Sequence, residues 1–176
     1  FGLDGSIYIS DGYGNSRVHH YTPEGKLIGS WGERGTGPGQ FMTPHGVEVD
    51  PSGLVYVADR ENSRIQIFSS SGQYVSEWRG VHRPNEILHG NDGAMYVAEL
   101  GMRQGTGPDA DEVTVVTPHS GVKIMTKNGQ WLGGWGADTH TAGDIVAAHA
   151  VGIDSEGSLY VGETLDGARL QKFIRV

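Results

Sequence analysis

The chain has 176 residues, 29 of them glycine and none cysteine, and a formal net charge of −8. That length suits one domain spanning residues 1–176 rather than two unrelated cores, and its acidic balance argues against nucleic acid, whose phosphates need a basic partner surface. No apolar run approaches the roughly 18–20 residues of a membrane span, no signal-peptide pattern opens the chain, and the absence of cysteine removes disulfides while leaving the compartment open.

The first element is a glycine turn followed by an apolar-Tyr-apolar strand, Leu3-Asp4-Gly5-Ser6-Ile7-Tyr8-Ile9. The same pattern returns at Pro51–Val57, Asn91–Val97 and Ser155–Val161, with tyrosines at Tyr8, Tyr56, Tyr96 and Tyr160. A recurrence at this spacing is that of four-strand repeats, the blades of a β-propeller. Glycine-rich Gly32–Gly39 lacks the Lys-Ser/Thr and helix of a phosphate loop and is expected to connect two blades. The second repeat shows all four strands: Gly46–Asp50, Leu54–Ala58, Arg64–Phe68 and Tyr74–Trp78. Each alternates apolar with polar residues and is bounded by turn residues. Gly101–Thr117 reads as an inserted surface loop. Trp31, Trp78 and Trp135 fall at one place in successive fourth strands, where an aromatic can pack between blades. The last repeat runs through a third strand, Arg169–Ile174, and no segment shows a helical period. About 14 strands result, with the first repeat lacking its innermost strand, so the ring is expected to be open or completed by another segment or chain.

The positions that carry chemistry are found by aligning the starts of the innermost strands. The second repeat reads Pro44-His45-Gly46-Val47, the third Pro84-Asn85-Glu86-Ile87 and the fourth Ala148-His149-Ala150-Val151. His45 and His149 then stand on alternate blades, two corners of a three-fold set if the ring has six blades. Three neutral imidazoles with an open fourth position is the arrangement of a catalytic zinc. The alternative is a pair of ordinary hydrogen-bonding histidines. His19, His20, His82, His89, His119 and His140 lie on outer strands or loops and are assigned no chemistry. The turns Asp11–Arg17 and Asp59–Arg64 share Asp, Asn, Ser and Arg, a structural set in which Asp and Asn cap the turn and Arg clamps a carboxylate. They differ at Tyr13 and Arg60, which could face a common cavity as an acid–base group and a carboxylate or oxyanion binder.

The strings Val55–Phe68 and Gly39–Val47 resemble NHL repeats. More narrowly, Ser10–Arg17, the Gly39-Gln40-Phe41 to Pro44-His45 connector, Ala58–Asn62 and Leu159-Tyr160-Val161-Gly162 with Gln171-Lys172-Phe173 resemble the peptidyl-α-hydroxyglycine α-amidating lyases and their bacterial relatives. The resemblance implies an all-β, NHL-type β-propeller, with about four blades present of a six-bladed parent. It implies a lyase that cleaves a peptidyl-α-hydroxyglycine to a peptide amide and glyoxylate at a zinc ion. His45 and His149 would be metal ligands, Tyr13 the group that takes the hydroxyl proton, and Arg60 the substrate-binding arginine. The third zinc histidine and a second arginine would precede Phe1. The chain departs from the animal members at Ala150, where they carry a calcium-binding Asp, at Ala147, where they carry Met, and at Gly14 and Val57, where they carry cysteines. A calcium ion is therefore not expected. The partner expected is a small-molecule or peptide substrate, and the competing reading is a non-catalytic NHL scaffold that binds a protein or peptide.

Overall fold

The computed structural model describes residues 1–101, 120–136 and 141–175. The chain folds into four antiparallel sheets in sequence order, each built from consecutive strands. The first blade holds β1 (Ile7–Asp11), β2 (Arg17–Tyr21) and β3 (Leu27–Trp31). The second holds β4 (Pro44–Val49), β5 (Val55–Asp59), β6 (Arg64–Phe68) and β7 (Tyr74–Trp78). The third holds β8 (Pro84–His89), β9 (Met95–Glu99), β10 (Gly121–Met125) and β11 (Trp131–Trp135), and the fourth β12 (Ala148–Ile153), β13 (Leu159–Glu163) and β14 (Leu170–Phe173). The protein is an all-β propeller chain whose sheets do not close into a ring. Among the described residues, nothing pairs with the inner side of β1. The expected insertion at Gly101–Thr117 lies, apart from Gly101, outside the described residues.

The core is a series of layers between blades rather than a single centre. One layer joins Tyr8, Val18 and Trp31 of the first blade to Val55, Val57 and Phe68 of the second. The next joins Tyr56, Ile65 and Trp78 to Ile87, Met95 and Val97, and a third joins Val122 and Trp135 to Leu159 and Val161. A blade with neighbours on both faces must bury both, so β5 and β6 are buried at every position, while β1 in the first blade is not. The three tryptophans act at these layers. Trp31 lies under the Gly72 turn of the second blade, where the backbone has φ +82° and a Cβ would come within 2.7 Å of the indole. Trp78 lies under the Gly129 turn in the same way, so both turns require a residue without a side chain.

In the second, third and fourth blades a buried carboxylate recurs at the end of the second strand and fastens the connector that leads into the innermost strand. Asp59 accepts from the Met42 N–H at 2.8 Å, Glu99 from His82 at 2.9 Å and Glu163 from Val146 at 2.8 Å. Each carboxylate is paired with a cation one strand further out: Arg64 at 2.7 Å, Lys123 at 3.0 Å and Arg169 at 2.8 Å. Arg64 also donates to the Gly37 and Gln40 carbonyls, which shows Gly32–Gly39 to be a connector lying over the second blade. The first blade departs from the expected clamp. Arg17 donates to the Gly32 carbonyl, and His19 takes its place beside Asp11 at 3.4 Å. Asp11 is one-third exposed where Asp59 is at 0% and accepts from the Asn15 side-chain amide at 2.6 Å, so no desolvated carboxylate demands the guanidinium.

Two further expectations are corrected. His89, expected on an outer strand or loop, is the last residue of innermost strand β8. Among the described residues a single 3-10 turn, Arg60–Asn62, interrupts the otherwise helix-free pattern; three residues are too few to carry an amphipathic period, so no such signal could appear.

Candidate active site

The candidate residues come from two kinds of element, the starts of innermost strands and the turns between second and third strands. In β4, β8 and β12 the pairing with the next strand slips by one residue near the start, between Pro44 and Val47, Pro84 and Glu86, and Ala148 and Ala150. Such a bulge leaves one residue without a ladder partner and re-aims its side chain. His45, Asn85 and His149 sit within these three bulges. The residue before each strand is held at positive φ although none is glycine: Thr43 at 62°, Arg83 at 48° and Ala147 at 54°. Each carbonyl is tied down by an N–H from the turn above, Arg60 to Thr43, Leu100 to Arg83 and Thr164 to Ala147. Backbone strain of about 1–3 kcal/mol per residue persists only where surrounding bonds over-determine it, and the same constraint appears three times around the histidine level.

His45 and His149 come together, with ring centroids 4.8 Å apart and planes nearly perpendicular at 83°. The His45 Nδ1–H donates to the Asn85 carbonyl at 2.8 Å, which leaves Nε2 with its lone pair. Its own carbonyl accepts from the Ser10 hydroxyl of the first blade. Burial holds the His45 imidazolium below the usual histidine range, and the charge of Arg60 adds to this. Burial, then Arg60, act in the same direction on His149. Both rings are thus neutral donors at neutral pH.

Tyr13 and Arg60 approach from the turns above. Gly12 brings the first turn down onto the second blade, where any Cβ would collide with the Pro44 carbonyl. Tyr13 is 80% exposed, yet its ring lies 5.9 Å from that of His45. Arg60 donates from Nη1 to the Tyr13 hydroxyl at 3.0 Å, with its guanidinium carbon 5.3 Å from the ring centroid. The four residues singled out from the sequence therefore meet in one place, drawn from the first, second and fourth blades.

Three neighbours carry no role in the sequence reading. Asn85, fully buried, donates from Nδ2 to the Ala148 carbonyl at 2.9 Å, just before His149. With its own carbonyl on His45, it links both histidines. Glu61 pairs with Arg60 and also with Arg83. A signal for Arg83 was present: it occupies a repeat position that holds Thr43 and Ala147 elsewhere. Asn85 had a similar signal, lying between two histidines in the same register.

The arrangement can be tested against a shared metal ion. Two imidazoles on one tetrahedral ion, with metal–nitrogen bonds of about 2.0–2.1 Å, place their ring centroids about 5 Å apart. The observed separation and the free Nε2 of His45 fit two corners of such a site. Among the described residues no group of three or more His, Cys, Asp or Glu could hold a metal ion.

Comparison with known proteins agrees on fold and narrows the relatives. The family model described as NHL repeat matches residues 41–68. The chain is 41% identical over 172 residues to peptidyl-glycine alpha-amidating monooxygenase A of Xenopus laevis, covering 92% of this chain and 17% of that protein. It is 35% identical over 85 residues to peptidyl-alpha-hydroxyglycine alpha-amidating lyase 1 of Drosophila melanogaster, covering 43% of this chain and 16% of the other. It is also 30% identical over 178 residues to human NHL repeat-containing protein 3, covering 97% of this chain and 47% of that one. The chain thus spans between 16% and 47% of the length of these relatives. Among solved structures, virginiamycin B lyase from Staphylococcus aureus superposes with a TM-score of 0.64 over 99% of this chain and 53% of that one. At 14% identity that likeness speaks for the fold alone. The chain is a propeller that carries an NHL repeat at residues 41–68 and has amidating lyases among its relatives.

Proposed function

We propose that this chain supplies much of the active face of a metal-dependent lyase that splits a peptidyl-α-hydroxyglycine, or a similar α-hydroxylated amide, into an amide and glyoxylate. The observation that supports it most directly is the meeting of Tyr13, His45, Arg60 and His149 in one place. The amidating lyase among the relatives supports the reaction class. His45 and His149 would hold a zinc ion, with a further ligand from a segment or chain that completes the ring beside β1. Bound there, zinc would supply a Lewis acid for the substrate's oxygen. Calcium has no part in this reading, because Ala150 offers no side-chain oxygen to a hard cation.

The chain's own residues divide the remaining work. Arg60 binds the substrate carboxylate, which becomes that of glyoxylate, through its terminal nitrogens. Tyr13, fixed by the same guanidinium, accepts the proton of the α-hydroxyl. The carbon–nitrogen bond breaks as the carbon–oxygen double bond forms, and the departing amide nitrogen takes up a proton from Tyr13, so the hydroxyl proton is transferred with no net loss or gain. Asn85 keeps both histidines in register throughout.

Elemental analysis with activity assay tests this. Zinc is expected to copurify, H45A and H149A to lose metal and activity together, and Tyr13→Phe to retain metal while turnover falls by about 10²–10⁴. Metal kept in full by the H45A/H149A double variant would rule the reading out. A second reading, a non-catalytic scaffold for a protein or peptide, is favoured by the NHL repeat-containing relative that aligns with 97% of the chain. It predicts no metal and no turnover in the wild-type protein. Neither reading involves nucleic acid or a membrane. No helix among the described residues is long and apolar enough to cross one.

A further inference from the structure

Arg60 stands beside Tyr13 because its other edge is held. Its Nε–H donates to Glu61 Oε1 at 2.7 Å, which leaves Nη1 for the Tyr13 hydroxyl. Glu61 is itself gripped by a second guanidinium: Arg83 donates from Nη2 to Oε1 at 2.9 Å and from Nε to Oε2 at 3.1 Å. The Arg83 fork uses both carboxylate oxygens, the geometry in which an arginine fixes a carboxylate most firmly. Arg83 is only 8% exposed and belongs to the left-handed position before β8, so its side chain starts from a constrained backbone. Burial opposes ionisation of Glu61, yet Arg83 and then Arg60 hold its carboxyl below the usual range. Two guanidiniums around one carboxylate leave one positive charge in excess beside two neutral imidazoles.

We propose that Glu61, clamped by Arg83, is a positioning residue that sets the Arg60 guanidinium on its Nε edge and turns its terminal nitrogens toward Tyr13 and an incoming carboxylate. Arg83 balances the charge of Glu61, so Arg60 is oriented without being neutralised. The inference rests on the reading of Arg60 as the carboxylate-binding residue.

Glyoxylate binding to the full chain, followed by titration calorimetry, tests it because position and charge act in opposite directions. Glu61→Ala adds one net positive charge, which alone would tighten an anion. Loss of positioning is expected to weaken glyoxylate about tenfold instead, and the effect should vanish in the R60M background, since Glu61 acts only through Arg60. Glyoxylate bound as tightly or more tightly by E61A, or an equal loss with and without Arg60, overturns the inference while leaving the proposed function intact. A wild-type protein that binds no glyoxylate, with R60M indistinguishable from it, overturns both. Should E61A not fold, E61Q keeps one acceptor oxygen and is expected to bind glyoxylate with an affinity between those of wild type and R60M. An affinity equal to or above wild type in E61Q likewise overturns the inference.

Discussion

Glu86 offers a measurable consequence of building carboxylates into innermost strands. It sits on β8 with its carboxyl against Gly46 of β4, where a Cβ on that glycine would lie 2.8 Å from Oε1. Its carboxyl is pushed up to about 7, by burial first, with the Ile87 N–H opposing and the charge of Glu48 adding. Glu48 is likewise raised by burial, although it accepts from the His89 N–H at 3.0 Å. The folded protein therefore keeps a proton on Glu86 that the unfolded chain releases near 4.5. Because the folded-state value is the higher one, stability is fully present below about pH 4.5 and is lost as pH rises to about 7. The rise from 4.5 to about 7 corresponds to about 3 kcal/mol. Glu86→Gln imitates the protonated acid and removes this loss. Urea unfolding of both proteins at a series of pH values, with a chelator present so that metal binding adds nothing, gives the difference. Glu48 titrates in both proteins and largely cancels. The variant should match wild type near pH 4.5 and exceed it by about 3 kcal/mol above pH 7. A difference that stays flat between pH 4.5 and 8 would refute the argument.

Other consequences follow from the packing. Gly72→Ala places a side chain at φ +82° against Trp31 and should cost about 2 kcal/mol or more, read as a lower urea midpoint with the slope unchanged. Asp59→Ala strips the carboxylate from an arginine that is 1% exposed, and a loss of about 3–5 kcal/mol is expected from chemical unfolding. Asn85→Ala leaves the Ala148 carbonyl without its donor, a cost of about 1–3 kcal/mol; metal affinity should fall with it, measured by cobalt titration, since the strand carrying His149 loses its tie to β8.

The blade architecture could be read from residues alone because its causes are local. A glycine turn followed by an apolar-Tyr-apolar strand needs only its own neighbours to form, and four copies reveal the period. The matched position of three tryptophans foretold the interblade layers for the same reason. Tyr13 and Arg60 were visible as differences between two matching turns, and His45 and His149 as histidines at one repeat position, signals that need no coordinates. Arg17 shows where such reasoning fails. Its motif matches that of Arg64, but its carboxylate partner is exposed, and exposure belongs to the packing of blades rather than to the motif.

What the linear chain could not specify is the level at which these side chains meet. The bulges in β4, β8 and β12 arise from strained residues held by bonds that reach across the blade, and strand alternation gives no hint of them. The 4.8 Å approach of His45 to His149 joins residues more than a hundred positions apart, beside an asparagine whose backbone carbonyl holds His45 and whose side-chain amide holds the Ala148 carbonyl. The roles of Glu61 and Arg83 depend on charges brought together from neighbouring blades after their solvent has been removed. Periodicity determines the blades, whereas desolvation and long-range hydrogen bonds, which exist only once the blades have packed, determine the site.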